Sequence, residues 1–166
     1  MDKKYELTKE TLQIGSITLH RIKALITFSN VEAGDLGGWV ESENNLDQSG
    51  EAWVSGEAWV DGEARVDGEA RVTGKARVTG KADIFWISQI GSRFGTTTAF
   101  KLQTGNVGIT CGCFYSTIKE FSARVEQVHG DSKYGQEYRI LIELIKVHFE
   151  IEEDNALETG EADAAS

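Results

Sequence analysis

Residues 91–98 read GSRFGTTT and carry the most chemically suggestive side chains of the chain. Successive backbone N–H groups, hydroxyls and one arginine can hold an anion such as phosphate. The segment differs from the phosphate-binding pattern G-x-x-x-x-G-K-[ST], because no lysine follows its second glycine. The alternative is a hairpin turn that leads into a threonine-rich strand. The candidate ligand-binding residues are Ser92, Arg93, Thr96, Thr97 and Thr98.

A second candidate is the pair Cys111 and Cys113 in TCGCF, since thiolates are good zinc ligands. A tetrahedral site needs two more ligands, and His20, His129 and His148 do not have ligand spacing. The alternative is a pair of buried small residues, and a lasting disulfide is not expected in a reducing compartment. We therefore predict no metal site and no cofactor.

The elements that must position these groups are organised around a repeat. From Ser49 to Ile84 the chain reads SGEAWV, SGEAWV, DGEARV, DGEARV, TGKARV and TGKADI, six copies of one six-residue unit. Strand alternation places the Ala and Val of a unit on one face, and Gly allows a bend between short strands. Three sides then form a triangular coil in which residue i lies over residue i+18. A hexapeptide period of this kind predicts a short β-solenoid.

The repeat also predicts an outer face. With Ala and Val inside, Trp53 lies beside Arg71 and Trp59 beside Arg77, which allows cation–π pairs. Exposed aromatic residues usually mark a partner, so these four residues are a candidate interaction surface. The alternative is that the N-terminal hairpin covers the tryptophans.

Four regions follow from the change of pattern along the chain. Residues 1–45 are predicted to form an N-terminal β cap that contains a hairpin, and residues 46–84 are predicted to form the solenoid. Residues 85–149 predict a C-terminal α+β module of the order β-β-β-α-α, and residues 150–166 an acidic, disordered tail. The predicted fold class is therefore mainly β with an α+β C-terminal part.

Local signals place the turns and helices more closely. Gly15 marks the hairpin turn. Thr117 with Glu120 predicts a capping box for a helix that ends near Val128. Asp131 or Ser132 predicts the start of a longer helix that ends near Phe149, since both residue types are good helix caps.

The charge distribution restricts the partners. The formal net charge is −10, and the stretch from Glu150 to Ser166 contains seven acidic and no basic residues. The rest of the chain offers no basic stripe, so we expect no nucleic-acid partner. No apolar run has the length of a secretion signal or a membrane span, so we expect no membrane partner and a cytoplasmic location.

Several segments resemble known groups of proteins. The alternation of an aliphatic residue with a small residue four places later resembles the left-handed hexapeptide β-helix, although Gly here follows the aliphatic residue by two places. LHRIKAL, AGDLGGWVESENNL and the GEAWV units resemble proteins of bacteriophages and prophages described as hypothetical or polymer-forming. IGSRFGTTTAF, CGCF and HGDSKYGQEY resemble a module that recurs in phage proteins. These resemblances imply a setting inside a bacterium and no particular activity.

Catalysis has little support in the sequence. Hexapeptide-repeat acyltransferases resemble the repeat, but they use a His near a loop that leaves the coils, and neither occurs from Ser49 to Ile84. We therefore predict a non-enzymatic binding or assembly protein that forms a homo-oligomer, with a trimer favoured because flat coil sides pack against copies of themselves. Its partner is either a host defence protein or a small anionic molecule such as a nucleotide signal.

Overall fold

The computed structural model describes residues 2–152. The tail predicted from Glu150 to Ser166 lies almost entirely outside these residues. Among the described residues, no helix has both the length and the apolar character of a membrane span.

An antiparallel hairpin begins the fold. Strand β1 (Tyr5–Ile14) pairs with β2 (Ile17–Ala24) across a turn at Gly15, whose φ of 59° suits a residue without a Cβ. This confirms the predicted hairpin and its turn. Strand β3 (Leu36–Val40) adds to β2 in antiparallel orientation. Its glycines are required by close packing, because a Cβ on Gly38 would lie 2.5 Å from the Ala58 carbonyl oxygen.

The repeat contributes four strands of two residues each: β4 (Trp53–Val54), β5 (Trp59–Val60), β6 (Arg71–Val72) and β7 (Arg77–Val78). Strand β4 pairs with β6 and β5 with β7, both parallel, which confirms the predicted spacing of 18 residues between neighbours. Ala and Val face a shared interior, where those from Ala52 to Val78 are at most 1% exposed. Strand β5 also pairs with β3, and the sheet order is β1-β2-β3-β5-β7.

The predicted fold class is wrong. The described chain contains a five-stranded mixed sheet, a two-stranded parallel sheet and a four-stranded antiparallel sheet, and it ends with two helices. The expected solenoid and hairpin cap are not separate units, because β5 and β7 extend the same sheet that the hairpin begins. The hairpin therefore continues the sheet beyond β3 and shares the core of the repeat, rather than forming a separate cap.

The C-terminal part has four strands where three were predicted. They are β8 (Ile84–Ile90), β9 (Gly95–Lys101), β10 (Val107–Cys111) and β11 (Phe114–Thr117), in the antiparallel order β11-β10-β9-β8. The missed strand is β11, which follows β10 after the two-residue turn Gly112-Cys113. The sequence predicts a single strand from Val107 to Phe114 here, because TCGCF contains only one strong turn residue.

Two helices complete the chain, α1 (Ile118–His129) and α2 (Lys133–His148). The backbone N–H of Glu120 donates to Thr117 Oγ1 at 3.3 Å, and Glu120 Oε2 accepts from the Thr117 N–H at 2.8 Å. This confirms the predicted capping box. Ser132 caps α2 by accepting from the Gly135 N–H at 3.3 Å.

The four-stranded sheet lies between the repeat and the helices. Phe100 belongs to the core that the sheet shares with the repeat, whereas Ile109 belongs to the core that it shares with the helices. The Arg71 N–H donates to Thr98 Oγ1 at 3.0 Å, and Thr110 Oγ1 donates to the Arg71 carbonyl at 2.8 Å. These two hydroxyls bond the main chain of Arg71 at a position where a further strand would otherwise pair with β6. We call this contact between the repeat and the four-stranded sheet the seam.

A candidate ligand-binding cavity beside helix α1

Two turns at one end of the four-stranded sheet form a cavity with the last turns of α1. The β8–β9 loop contributes Ser92 and Arg93, the β10–β11 turn contributes Cys113, and α1 contributes Arg124 and His129. We call this space the helix cavity, and its volume is about 450 Å³. Specific small-molecule sites usually fall between about 300 and 1,000 Å³, so the cavity can hold a molecule of nucleotide size.

The β8–β9 loop has a fixed and strained backbone. The Gly91 N–H donates to Glu137 Oε2 at 3.1 Å, and the Phe94 N–H donates to the Gly91 carbonyl at 3.2 Å. Phe94 has a φ of 50° and its side chain is 70% exposed. A positive φ is costly for a residue with a Cβ, so the surrounding contacts must hold the loop in this conformation. The loop thereby presents Ser92 and Arg93 to the cavity.

The helix cavity gathers positive charge in an acidic protein. Arg93 and Arg124 both line it, and within residues 2–152 neither guanidinium has a carboxylate within 4 Å. Arg124 donates only to the amide oxygen of Gln127, at 3.0 Å. The formal net charge of the chain is −10, so two uncompensated arginines at one site form a local positive field. Such a site attracts an anion.

The floor of the cavity is aromatic. Phe121 and Tyr138 pack edge to face with ring centroids 5.6 Å apart, and the His129 ring stacks on Tyr138 at 5.4 Å. Burial raises the pKa of Tyr138 well above its usual range, and the neighbouring Cys111 thiol acts in the same direction. Tyr138 therefore stays a neutral hydroxyl at physiological pH. A flat apolar group of a ligand would lie against this floor while its charge meets the arginines.

A second space borders the first. It lies between residues 29–36, the outer side of β4 and β6, and the sheet, and its volume is about 770 Å³. We call it the repeat groove. Its central cation is the half-buried Arg71. The two spaces share four wall residues, Gly95, Gly112, Cys113 and Phe114.

The residues predicted to form one anion site are divided between three environments. Ser92 and Arg93 line the helix cavity, and Thr96 lines the repeat groove, where its hydroxyl donates to Glu69 Oε2 at 2.6 Å. Thr97 and Thr98 are 1% exposed and bond within the protein, so they are not available to a ligand. The alternation of a strand explains this division, because successive threonines face opposite sides of the sheet.

The four residues predicted to form an interaction surface are also separated. Trp53 is 4% exposed and packs edge to face against Phe28 at 5.5 Å, so the N-terminal segment covers it, as the alternative held. The guanidinium of Arg71 lies 5.9 Å from the same Phe28 ring rather than over Trp53. The predicted pair of Trp59 and Arg77 does form, at 5.4 Å.

The two cysteines do not share a strand face. A turn separates them, since Cys111 ends β10 and Cys113 lies in the two-residue connection to β11. Cys111 is half-buried and Cys113 is exposed, so the interpretation as two buried residues is wrong for Cys113. The described residues contain no group of three or more side chains arranged to bind a metal.

Sequence reasoning missed Arg124, His129 and Tyr138 as cavity residues. Helical spacing held the signal, because Arg124 lies three places after the buried Phe121 and therefore borders the apolar stripe of α1. The apolar spacing of this helix also predicts Val128 on its inner face, but Val128 lines the cavity and is 53% exposed. An apolar residue exposed beside uncompensated arginines is typical of a ligand site.

Comparison with protein-family models found no match to this chain, and no curated protein is significantly similar to it. The resemblance to phage repeat proteins therefore stays a prediction. The assignment of function depends on the geometry of the molecule itself.

Proposed function

We propose that this protein is a non-enzymatic binding protein that captures a small anionic molecule with an aromatic group, such as a mononucleotide, in the helix cavity. The observation that carries the proposal is the convergence of Arg93 and Arg124, without carboxylate partners in the described chain, on an aromatic floor. An arginine binds phosphate through two parallel hydrogen bonds and can also stack on a flat ring.

The two chemical halves of a nucleotide match the two halves of the cavity. Its phosphate would meet Arg93 and Arg124, and its base would lie against the exposed Val128 and the half-buried His129, which line the cavity together with the buried Phe121 and Tyr138. His129, which stacks on Tyr138, supplies a further donor at the rim. Both parts of this match are needed for specificity, since inorganic phosphate uses only the arginines and a nucleoside uses only the floor.

The sequence resemblance suggests a biological setting for this capture. A phage-type protein that holds a nucleotide signal inside an infected bacterium would lower the free concentration of that signal. Tight binding without turnover suffices for this role.

The direct test is calorimetric titration of the purified full chain with 5′-AMP and 5′-GMP, with adenosine and inorganic phosphate as half-ligands. We expect at least one nucleotide to bind more tightly than either half-ligand. Arg93→Gln and Arg124→Gln should each weaken that binding by about tenfold or more, because each removes a charge-assisted contact.

Arg139→Gln is the matched control. Arg139 lies on α2, pairs with Glu126 Oε1 at 2.7 Å on the surface and does not line the cavity. Its loss should leave nucleotide affinity unchanged. Equal affinities of the wild type, Arg93→Gln and Arg124→Gln for every nucleotide would contradict the proposal.

Protein recognition is a second candidate, and a specific observation favours it. Arg21 lies 5.3 Å from the Trp39 ring, Trp39 neighbours Trp59 in the sheet, and Arg77 covers Trp59. We call these four residues the tryptophan ladder. The Nε1 of Trp59 is buried and has no hydrogen-bond partner within the described chain. A flat aromatic and cationic surface of this kind fits a protein partner, either a host defence protein or further copies of this chain.

Self-association, with the trimer predicted from the repeat, is the case that can be measured directly. Sedimentation equilibrium of the wild type would give the mass of the assembly. Trp59→Ser with Arg77→Ser should lower that mass to the monomer, whereas Arg139→Gln should not. An assembly that survives the double substitution would exclude the ladder as its interface.

A further inference from the structure

The repeat groove and the helix cavity are two neighbouring compartments. They share the walls formed by Gly95, Gly112, Cys113 and Phe114. Two of these residues are glycines, and a Cβ on Gly95 or Gly112 would meet no atom within 4 Å. Neither glycine therefore places a side chain between the two compartments.

Arg71 is the cation of the second compartment. Its guanidinium is half-buried, and among residues 2–152 it has no carboxylate within 4 Å and no side-chain hydrogen bond. Burial lowers the pKa of Arg71, while the negative charge of Glu51 opposes this change. A half-buried cation without a direct partner is stabilised when an anion arrives, because the ligand replaces the hydration that burial removed.

The backbone and the ring beneath it hold this guanidinium in place. Thr98 and Thr110 bond the main chain of Arg71, and the Phe28 ring lies 5.9 Å below the charged group. The equivalent arginine one repeat unit later, Arg77, is exposed and stacks on Trp59 instead. The two units, DGEARV and TGKARV, carry their arginine at the same position, but only in the first do Thr98 and Thr110 of the C-terminal sheet bond the main chain of the arginine.

Acidic residues limit what the groove can hold. Glu69 accepts from Thr96 and Ser88, and Asp35 Oδ2 accepts from the Glu32 N–H at 2.9 Å, so both carboxylates already have partners. Glu51 also lines the groove. Asp35, Glu51 and Glu69 therefore disfavour a long polyanion in the groove, and a bound anionic group must lie directly against Arg71.

From this geometry we infer that the ligand is a dinucleotide, with one phosphate between Arg93 and Arg124 and the second against Arg71. This inference rests on the proposed function of the helix cavity. It specifies the size and the charge of the ligand more closely, because a mononucleotide would fill only one of the two compartments. Phe114, which lines both compartments, is placed to contact the part of the ligand that passes between them.

The test compares 5′-AMP with the linear dinucleotide pApA and with cyclic di-AMP by calorimetric titration of the full chain. We expect at least one dinucleotide to bind about tenfold or more tightly than AMP, because it gains a second charge-assisted contact. Arg71→Gln should remove that advantage and leave AMP affinity unchanged. Arg77→Gln, the same substitution one unit later, should affect neither ligand.

A steric variant gives an independent result. Gly95 does not have a positive φ and a Cβ there meets no atom within 4 Å, so Gly95→Leu can be introduced without strain and adds a large side chain to a wall that both compartments share. It should lower dinucleotide affinity to that of AMP, with an unchanged melting temperature as the check on folding.

The outcomes separate the two proposals. If AMP binds through Arg93 and Arg124 but both dinucleotides bind no more tightly, the inference about the groove is wrong and the proposed function stands. An Arg71→Gln variant that keeps the full dinucleotide advantage also overturns the inference. If neither AMP nor either dinucleotide binds, both proposals fail.

Discussion

The repeat units fill their interior mainly with Ala and Val, whereas the C-terminal part packs aromatic and branched side chains of two helices against a sheet. Small residues in a fixed period stack without gaps, so the repeat has no internal room for a ligand. The C-terminal part has no period, and its turns and helix ends meet at irregular angles. The helix cavity arises there, and the groove arises where the two regions meet.

The comparison predicts that the two regions differ most in their tolerance of charge. Val72 is fully buried in the repeat, so Val72→Asp places a carboxylate where no polar partner is available. We expect it to lower the free energy of unfolding by more than about 4 kcal/mol, or to prevent folding. Urea unfolding followed by circular dichroism measures this change.

Val128→Asp is the control in the other region. Val128 is 53% exposed on the wall of the helix cavity, so this change should alter the free energy of unfolding by less than about 0.5 kcal/mol. Similar losses in the two variants would show that the repeat interior is not the tightly packed region described here.

The seam between the regions is the next feature to test. Thr98→Val keeps the shape of the side chain and leaves the Arg71 N–H without its acceptor. A buried donor without a partner costs about 2 kcal/mol, which chemical denaturation can resolve. In the neighbouring Thr97→Val, only a contact of 3.4 Å to the Cys111 sulfur is lost, so a smaller effect is expected. If the Thr97 variant were the less stable of the two, the seam would not depend on Thr98.

A buried lysine is an exception to the apolar interior of the repeat region. Lys4 is 1% exposed, and its Nζ donates to the Ala52 carbonyl at 2.9 Å and to the Ser49 carbonyl at 3.1 Å. Burial lowers the pKa of Lys4 to about 8, with the Asp47 charge opposing this change. The unfolded chain, whose lysine keeps its ordinary pKa, therefore binds more protons than the folded chain above pH 8.

Stability should consequently rise with pH in this interval. Between pH 7.5 and 9.5, Lys4 should add about 1.5 kcal/mol to the free energy of unfolding, and Lys4→Met should lack this contribution. The interval ends below the range where the buried Tyr5 acts in the opposite sense, since burial raises the pKa of its hydroxyl. Parallel pH profiles of the wild type and Lys4→Met would show that Lys4 stays protonated in the fold.

The local parts of the fold could be predicted because their causes are local. The phase of Ala and Val predicted the interior and the 18-residue register, and Thr117 and Ser132 predicted the helix starts. The addition of the hairpin to the sheet of the repeat could not be predicted in this way, because no repeated residues mark the pairing of β2 with β3. The separate hairpin cap was wrong for the same reason.

The candidate site was predictable only at its loop. Residues 91–98 drew attention through their glycines, hydroxyls and arginine, and two of the five named side chains do line the helix cavity. Arg124 and Tyr138 come from helices whose orientation depends on tertiary packing. The different surroundings of Arg71 and Arg77 depend on Phe28 and on the threonines of the sheet, none of which the repeat sequence contains.

This last difference gives the smallest and most specific prediction. Trp53 and Arg71 occupy the same unit positions as Trp59 and Arg77 and have the same strand register. In the second pair the guanidinium lies 5.4 Å from the indole, so a double-mutant cycle of Trp59→Leu and Arg77→Met should give a coupling energy of about 0.5 to 1 kcal/mol. In the first pair Phe28 receives the cation, so the cycle of Trp53→Leu and Arg71→Met should give a coupling near zero even though Trp53→Leu alone is the more costly substitution. Equal couplings would mean that the repeat itself sets the position of its arginines, and the seam would then have no part in forming the cationic groove.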